Sequence, residues 1–450
     1  MASGKGLHIR LSALLLSLVV AAGVCAIRVG VAEAAVKTKK HFTSQESLRR
    51  RDKYRNYRLR SPAYRRWKVN KDRISKLKKS SFWNRRPYQF STPLAVEGKL
   101  FVGCDAGVFY AYQIPRGKKL WKYRTEGPIQ SQAEYFGGMV FVGDAKGKIY
   151  ALGADDGELR WSARLDTEIL AAPLAVGGRL YVSTMSGRLY ALDAVSGAEY
   201  WHTEPDDREL GFSVRGGAAP AYRGGLIYQG TSTGNLRAIR ESDGSIAWVR
   251  KLGNIRQMIY DVDSTPLMYG GNVYAASADG ALYALSPADG TVQWVSEAGG
   301  VDDVHVHHGR LYSSGGGKLF SLDPLTGQVY WEQDLDRPAI SSPALGEGFV
   351  AVSSTTDKIF LVESDTGDLC YDRYIRKGSL GDPIVHDGRV YVLSNTGRLY
   401  SFKVGRRVKK GKKRKKDEVE AEVKVEVEDE VEAKDGAEAP AVDEAPQGKE

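Results

Sequence analysis

The 450-residue sequence predicts an all-β fold, an eight-bladed β-propeller of four-stranded antiparallel blades, and three observations carry that expectation. Glycine supplies 50 of the 450 residues without a triplet repeat, so the excess serves tight turns. Tryptophan recurs at Trp83, Trp121, Trp161, Trp201, Trp248, Trp294 and Trp331, with Tyr371 continuing the series at steps of 38, 40, 40, 47, 46, 37 and 40 residues. Within each unit the order is constant, as in Ala172-Pro173-Leu174, Gly178-Arg179-Leu180-Tyr181-Val182, Gly187-Arg188-Leu189-Tyr190-Ala191-Leu192-Asp193, then Gly197 and Trp201. Self-similarity at about 40 residues, with three glycine-marked turns separating four short strands, is the signature of propeller blades.

Each element follows from local chemistry. Val, Ile, Tyr and Leu alternating with polar residues suit pleated, half-buried strands. The turns Asp156-Gly157, Ser196-Gly197, Asp243-Gly244, Asp289-Gly290, Thr326-Gly327 and Thr366-Gly367 place glycine where positive φ is needed. The two ends of the repeat set the blade number. Trp83 reads as a fourth-strand fragment with no partners before it, and residues 380–404 supply three strands with no tryptophan strand after them. Joined, the two fragments make an eighth blade closed by an N-terminal strand, which removes two open sheet edges.

Four segments are expected: 1–34, 35–80, 81–404 and 405–450. In the first, Lys5 and Arg10 precede an uncharged apolar run over 11–27, and Ala32-Glu33-Ala34 offers a small-x-small cleavage site. The segment is an export signal, and its 17 apolar residues are also just long enough to stay as a membrane anchor. Lipid attachment at Cys25 is disfavoured by the branched Val24 before it. The second segment is a basic arm, disordered or helical: residues 37–86 hold 20 Lys/Arg against 3 Asp/Glu, whereas 87–404 hold 30 against 37. Thr43 and Glu46 have capping-box spacing, and Tyr54, Tyr57, Tyr64 and Trp67 interleave with the cations. The arm reads as a solvated linker or as an adhesive for anionic envelope surfaces. The tail carries nine basic residues in eleven from Arg406 to Lys416 and then turns acidic, a disordered composition. With the body exported, nucleic acid is not an expected partner. Three cysteines, one of them in the export segment, exclude a disulfide framework.

The units, with their Tyr-Ala-Leu-Asp and Gly-x-x-x-Trp endings, look like the quinoprotein (PQQ-like) propeller repeat. A closer likeness lies in Phe212-Ser213-Val214-Arg215-Gly216-Gly217-Ala218-Ala219-Pro220 and, one blade later, Asp261-Val262-Asp263-Ser264-Thr265-Pro266. These segments fall in the two longest connections, and over residues 81–404 the chain resembles the BamB family, the propeller subunit of the outer-membrane β-barrel assembly machinery. The resemblance implies a non-catalytic periplasmic scaffold assisting assembly and insertion of outer-membrane β-barrel proteins. It further implies a partner surface that meets a BamA-like outer-membrane barrel protein through its periplasmic domains. Phe212 and Val214 take the apolar positions, where the family prefers leucine; Arg215 takes the cation and Asp261 and Asp263 the acids. The same residues also fit a brace in which Arg215 pairs with Asp261 or Asp263. The alternatives are a PQQ-dependent quinoprotein dehydrogenase, whose family uses a vicinal cysteine pair that this sequence lacks, or a binding module for another envelope protein.

No other motif carries chemistry, so no catalytic residue, cofactor or metal is expected. His305 and His307 alternate on one strand beside Asp302 and Asp303, but the segment aligns with the first strand of a blade, where the histidines face the channel or solvent. Gly315-Gly316-Gly317 occupies a hairpin position rather than opening a helix. Cys104 and Cys370 are expected as free buried thiols.

Overall fold

The computed structural model describes residues 67–76, 90–205, 218–253, 262–300 and 303–406. It contains eight four-stranded antiparallel sheets and, among the described residues, no helix. Blades 1 to 7 each use four consecutive strands and span 94–124, 134–164, 174–202, 221–251, 267–296, 305–334 and 344–374. Blade 8 takes three strands from 384–406 and its fourth from Trp67–Lys76, antiparallel to Arg398–Arg406.

Eight apolar cores fill the eight junctions, and each draws on two successive blades. Phe101, Phe109 and Trp121 of blade 1, for example, meet Val140, Tyr150 and Leu152 of blade 2. The last core joins Tyr391, Leu393 and Leu399 of blade 8 to Leu100, Val102 and Tyr110 of blade 1, so the ring closes.

At six junctions one interaction recurs. The tryptophan of a blade's fourth strand lies on the glycine that ends the third-to-fourth-strand turn of the next blade. Its indole Nε1 donates to a carbonyl of that turn: Trp121 to Ala154 at 3.1 Å, Trp161 to Ala194 at 3.0 Å, Trp201 to Glu241 at 3.1 Å, Trp248 to Pro287 at 3.0 Å, Trp294 to Pro324 at 3.1 Å and Trp331 to Ser364 at 2.9 Å. Gly197, at φ 76°, has no room for a side chain, because a Cβ there would stand 2.5 Å from the Trp161 ring.

The clasp strand lies elsewhere than the sequence placed it. Trp83 was the expected fourth-strand marker, but Trp83 lies outside the described residues, and the strand is 67–76, within the segment expected to be a disordered or helical arm. Tryptophan marks a fourth strand only where it docks on a neighbour's turn. In blade 8 the register puts Asp72 opposite Ser401, where other blades pair tryptophan with a small residue. The strand is held by length instead, from Trp67 opposite Arg406 to Lys76 opposite Arg398, a longer ladder than any other fourth strand makes.

Two outcomes test this architecture. Gly197→Ala should cost about 2–4 kcal/mol in thermal or denaturant unfolding, combining left-handed backbone strain with the indole clash. Gly178→Ala, also at positive φ but with nothing within 4 Å, should cost only the backbone part. Deleting residues 67–76 should lower the melting temperature by several degrees and broaden the transition; unchanged calorimetric melting would remove this strand from ring closure.

Candidate functional site

In this topology the fourth-to-first connections and second-to-third turns share one face of the ring, and the first-to-second and third-to-fourth turns share the other. The described residues that flank 206–217 and 254–261 therefore lie on the same face, on either side of blade 4. Of the expected partner residues, Asp263 is described and half-buried, while Phe212, Val214, Arg215 and Asp261 lie outside the described residues.

The anchors of both connections are well fixed. Before 206–217, the Thr203 hydroxyl accepts from Leu189 N at 3.0 Å and its amide donates to Leu189 O; after it, Ala218 and Pro220 are buried. Before 254–261, Leu252 N donates to Gly234 O at 2.8 Å and Gly253 N to the Tyr283 hydroxyl at 3.1 Å. After it, Val262 is buried and its amide donates to Thr231 O at 3.1 Å. Gly230 is required beneath it, since a Cβ would come 2.2 Å from Val262 O. The Thr231–Gly234 turn of blade 4 thus holds both ends of the second connection.

Sequence reading missed Arg237. Its third-strand position holds an aromatic in the other blades (Tyr110, Tyr150, Tyr190, Tyr283, Phe320, Phe360, Tyr400). The equivalent Tyr150 and Tyr283 hydroxyls accept from amides of the connection entering their blade. Arg237 is buried and donates to Gly187 O of blade 3 and to Gln229 Oε1, the latter at 2.7 Å, and Gln229 Nε2 reaches Ser183 Oγ at 3.1 Å. A polar cluster with a guanidinium therefore joins blades 3 and 4 where connection 206–217 enters. The signal was available, because Arg237 interrupts an otherwise aromatic column.

Around the innermost strands a belt of hydrogen bonds links blades in series. Thr265 N donates to Asp303 Oδ1 at 2.6 Å, Asp303 N to Ser342 Oγ at 3.2 Å, Ser342 N to Asp382 Oδ1 at 2.9 Å, and Asp382 N to Thr92 Oγ1 at 2.9 Å. Gln132 Nε2 continues it to Pro93 O at 2.9 Å, and Ala175 N to Glu134 Oε1 at 3.4 Å. Glu134 starts the first strand of blade 2, where blades 1 and 3 have Leu94 and Leu174, and burial pushes its carboxyl up to about 7 from 4.5. An acid with a raised folded-state pKa binds more protons folded than unfolded, so stability falls as pH rises from 4.5 to about 7. The loss is at most about 3 kcal/mol. Glu134→Gln should flatten the dependence in that window and raise the melting temperature at pH 8, as paired thermal melts would show.

Cys104 and Cys370, in blades 1 and 7, are buried and not disulfide-bonded, and burial pushes the Cys104 thiol up. Gly316 and Gly317, at φ 58° and 83°, form the hairpin between Arg310–Gly315 and Lys318–Leu322.

A comparison with curated proteins finds no match. Among solved structures, BamB from Moraxella catarrhalis superposes with a TM-score of 0.64 at 22% identity, covering 74% of this chain and 100% of that one. The computationally designed Ika8 protein gives 0.60 at 14% identity, covering 74% and 99%. Quinohemoprotein alcohol dehydrogenase from Comamonas testosteroni gives 0.60 at 13% identity, covering 75% and 76%. At these identities the likeness speaks for the fold alone, which these three proteins share. The sequence itself discriminates further: a family profile described as "Outer membrane protein assembly factor BamB" matches residues 105–315 and 278–447, and the chain belongs to that family.

Proposed function

We propose that this protein is a non-catalytic scaffold on the periplasmic side of the outer membrane that binds a BamA-like barrel protein through its periplasmic domains. In that role it assists assembly and insertion of β-barrel proteins. Family membership carries the proposal, and the geometry supports it: the described residues flanking 206–217 and 254–261 share one face and are held by buried residues of the ring. Phe212, Val214, Arg215, Asp261 and Asp263 are assigned to the contact surface. An apolar anchor, a guanidinium and carboxylates form the mixed chemistry of a binding hot spot. The basic stretches on either side of the 67–76 strand are assigned to anionic envelope surfaces.

The quinoprotein dehydrogenase reading has the shared fold in its favour. The donor set argues against it. The family's quinone pocket uses vicinal cysteines, and here Cys104 and Cys370 belong to separate junction cores.

Arg215→Glu should cut recovery of the barrel partner from crosslinked envelopes by roughly thirtyfold, the equivalent of losing about 2 kcal/mol at a desolvated arginine. Its melting temperature should be unchanged, because exposed loop charges contribute little to folding. A paired reversal, Arg215→Glu with Asp261→Arg or Asp263→Arg, separates contact from brace: restored capture would mean that the acid only holds Arg215. Normal recovery by Arg215→Glu would remove the site.

A further inference from the structure

On the opposite face, the first-to-second-strand turns carry a repeated two-residue hairpin. Blades 2 to 5 use Gly137-Gly138, Gly177-Gly178, Gly224-Gly225 and Gly270-Gly271. Blades 1, 6, 7 and 8 put a side chain first, with Glu97-Gly98, His308-Gly309, Glu347-Gly348 and Asp387-Gly388, and of these blades 6 and 7 bring a histidine and a carboxylate together. His308 holds φ 46°, a left-handed conformation that costs a side chain and that glycine adopts freely.

Three metal-ligating side chains converge there. One ligand atom from each of His307, His308 and Glu347 lies within 4.8 Å of the others. His308 Nε2 stands 3.8 Å from Glu347 Oε2, and the two imidazoles lie 3.9 Å apart between centroids at 56°. His307 Nε2 is buried without a hydrogen-bond partner, a polar atom left unsatisfied. The nearby cation is engaged elsewhere, since Arg310 lies over the Tyr330 ring at 4.7 Å and donates to Asp365 O at 3.1 Å.

We propose that His307, His308 and Glu347 form a surface zinc site bridging blades 6 and 7. Two imidazoles and one carboxylate are donors that suit Zn²⁺ rather than Ca²⁺ or Mg²⁺, which prefer all-oxygen shells. In a tetrahedral site with ligand bonds of roughly 2.0–2.1 Å, donors stand about 3.4 Å apart, so closure asks only small movements of two exposed side chains. Three protein ligands leave the fourth position to water or to a donor from a docked protein. The sequence had grouped His307 with His305 and Asp302–Asp303. Asp302 lies outside the described residues, Asp303 belongs to the inner belt, and the fold brings Glu347 from the next blade to His307 and His308.

The test uses the full chain without an affinity tag, titrated with Zn²⁺ against a chromophoric chelator. One equivalent should bind, insensitive to millimolar Ca²⁺ or Mg²⁺, with affinity falling at least about a hundredfold in His307→Val, His308→Gly and Glu347→Gln. These variants retain the fold: valine occupies the His307 position in blades 1 and 3 (Val96, Val176), and glycine relieves the His308 turn, so His308→Gly should melt at or above the wild-type temperature. A wild-type chain that takes up no zinc, or a His308→Gly chain that takes up zinc as tightly as wild type, overturns the proposal.

Discussion

The ring depends on an indole resting on a glycine. Each docked tryptophan pairs across its own sheet with a small third-strand residue: Ala111, Ala151, Ala191, Ala238, Ala284 or Ser321. In every such blade a bulge follows immediately in the third-to-fourth ladder, and bulges add local twist. The small residue, the bulge and the glycine of the next turn therefore form one device, repeated six times, that aims a large flat side chain across a blade boundary. The 40-residue period expresses this geometry, because a blade must return its fourth strand to the same height to meet its neighbour's turn.

The device lapses on both sides of blade 8. Blade 7 presents Tyr371 opposite Leu361, and the blade it would dock on has no third-to-fourth turn, since those strands come from opposite ends of the chain. Blade 8 in turn has Asp72 at the tryptophan register. Closure there rests on the long 67–76 ladder, on the aliphatic and aromatic cores of the two junctions, and on Asp382, which accepts from Ser342 of blade 7 and donates its amide to Thr92 of blade 1.

These facts explain what could be read in advance. Blade count, strand order and turn positions were legible because the tryptophan device forces a pattern on the sequence. The clasp was misplaced at Trp83 because the marker was assumed to persist where nothing requires it. The connections 206–217 and 254–261 stood out only by breaking the period, and their candidate residues came from motif likeness, not from spacing. Arg237 and the pairing of His308 with Glu347 went unread for another reason. Arg237 interrupts an aromatic column, and His308 meets Glu347 across a blade boundary, so each becomes visible only when the blades are placed in space.

The two candidate sites fall on opposite faces of the ring. The described ends of 206–217 and 254–261 lie on the face where fourth strands hand over to first strands, and His307, His308 and Glu347 on the face of the first-to-second-strand turns. Between the faces stand the junction cores, packed with fully buried aromatics and branched aliphatics that cannot shift individually without opening a void. A ligand on the hairpin face can influence the connection face only by altering the angle between blades, which the tryptophan locks resist at the 4–5, 5–6 and 6–7 junctions. The two surfaces are therefore energetically separate to a first approximation, and changes at one should add to, rather than amplify, changes at the other.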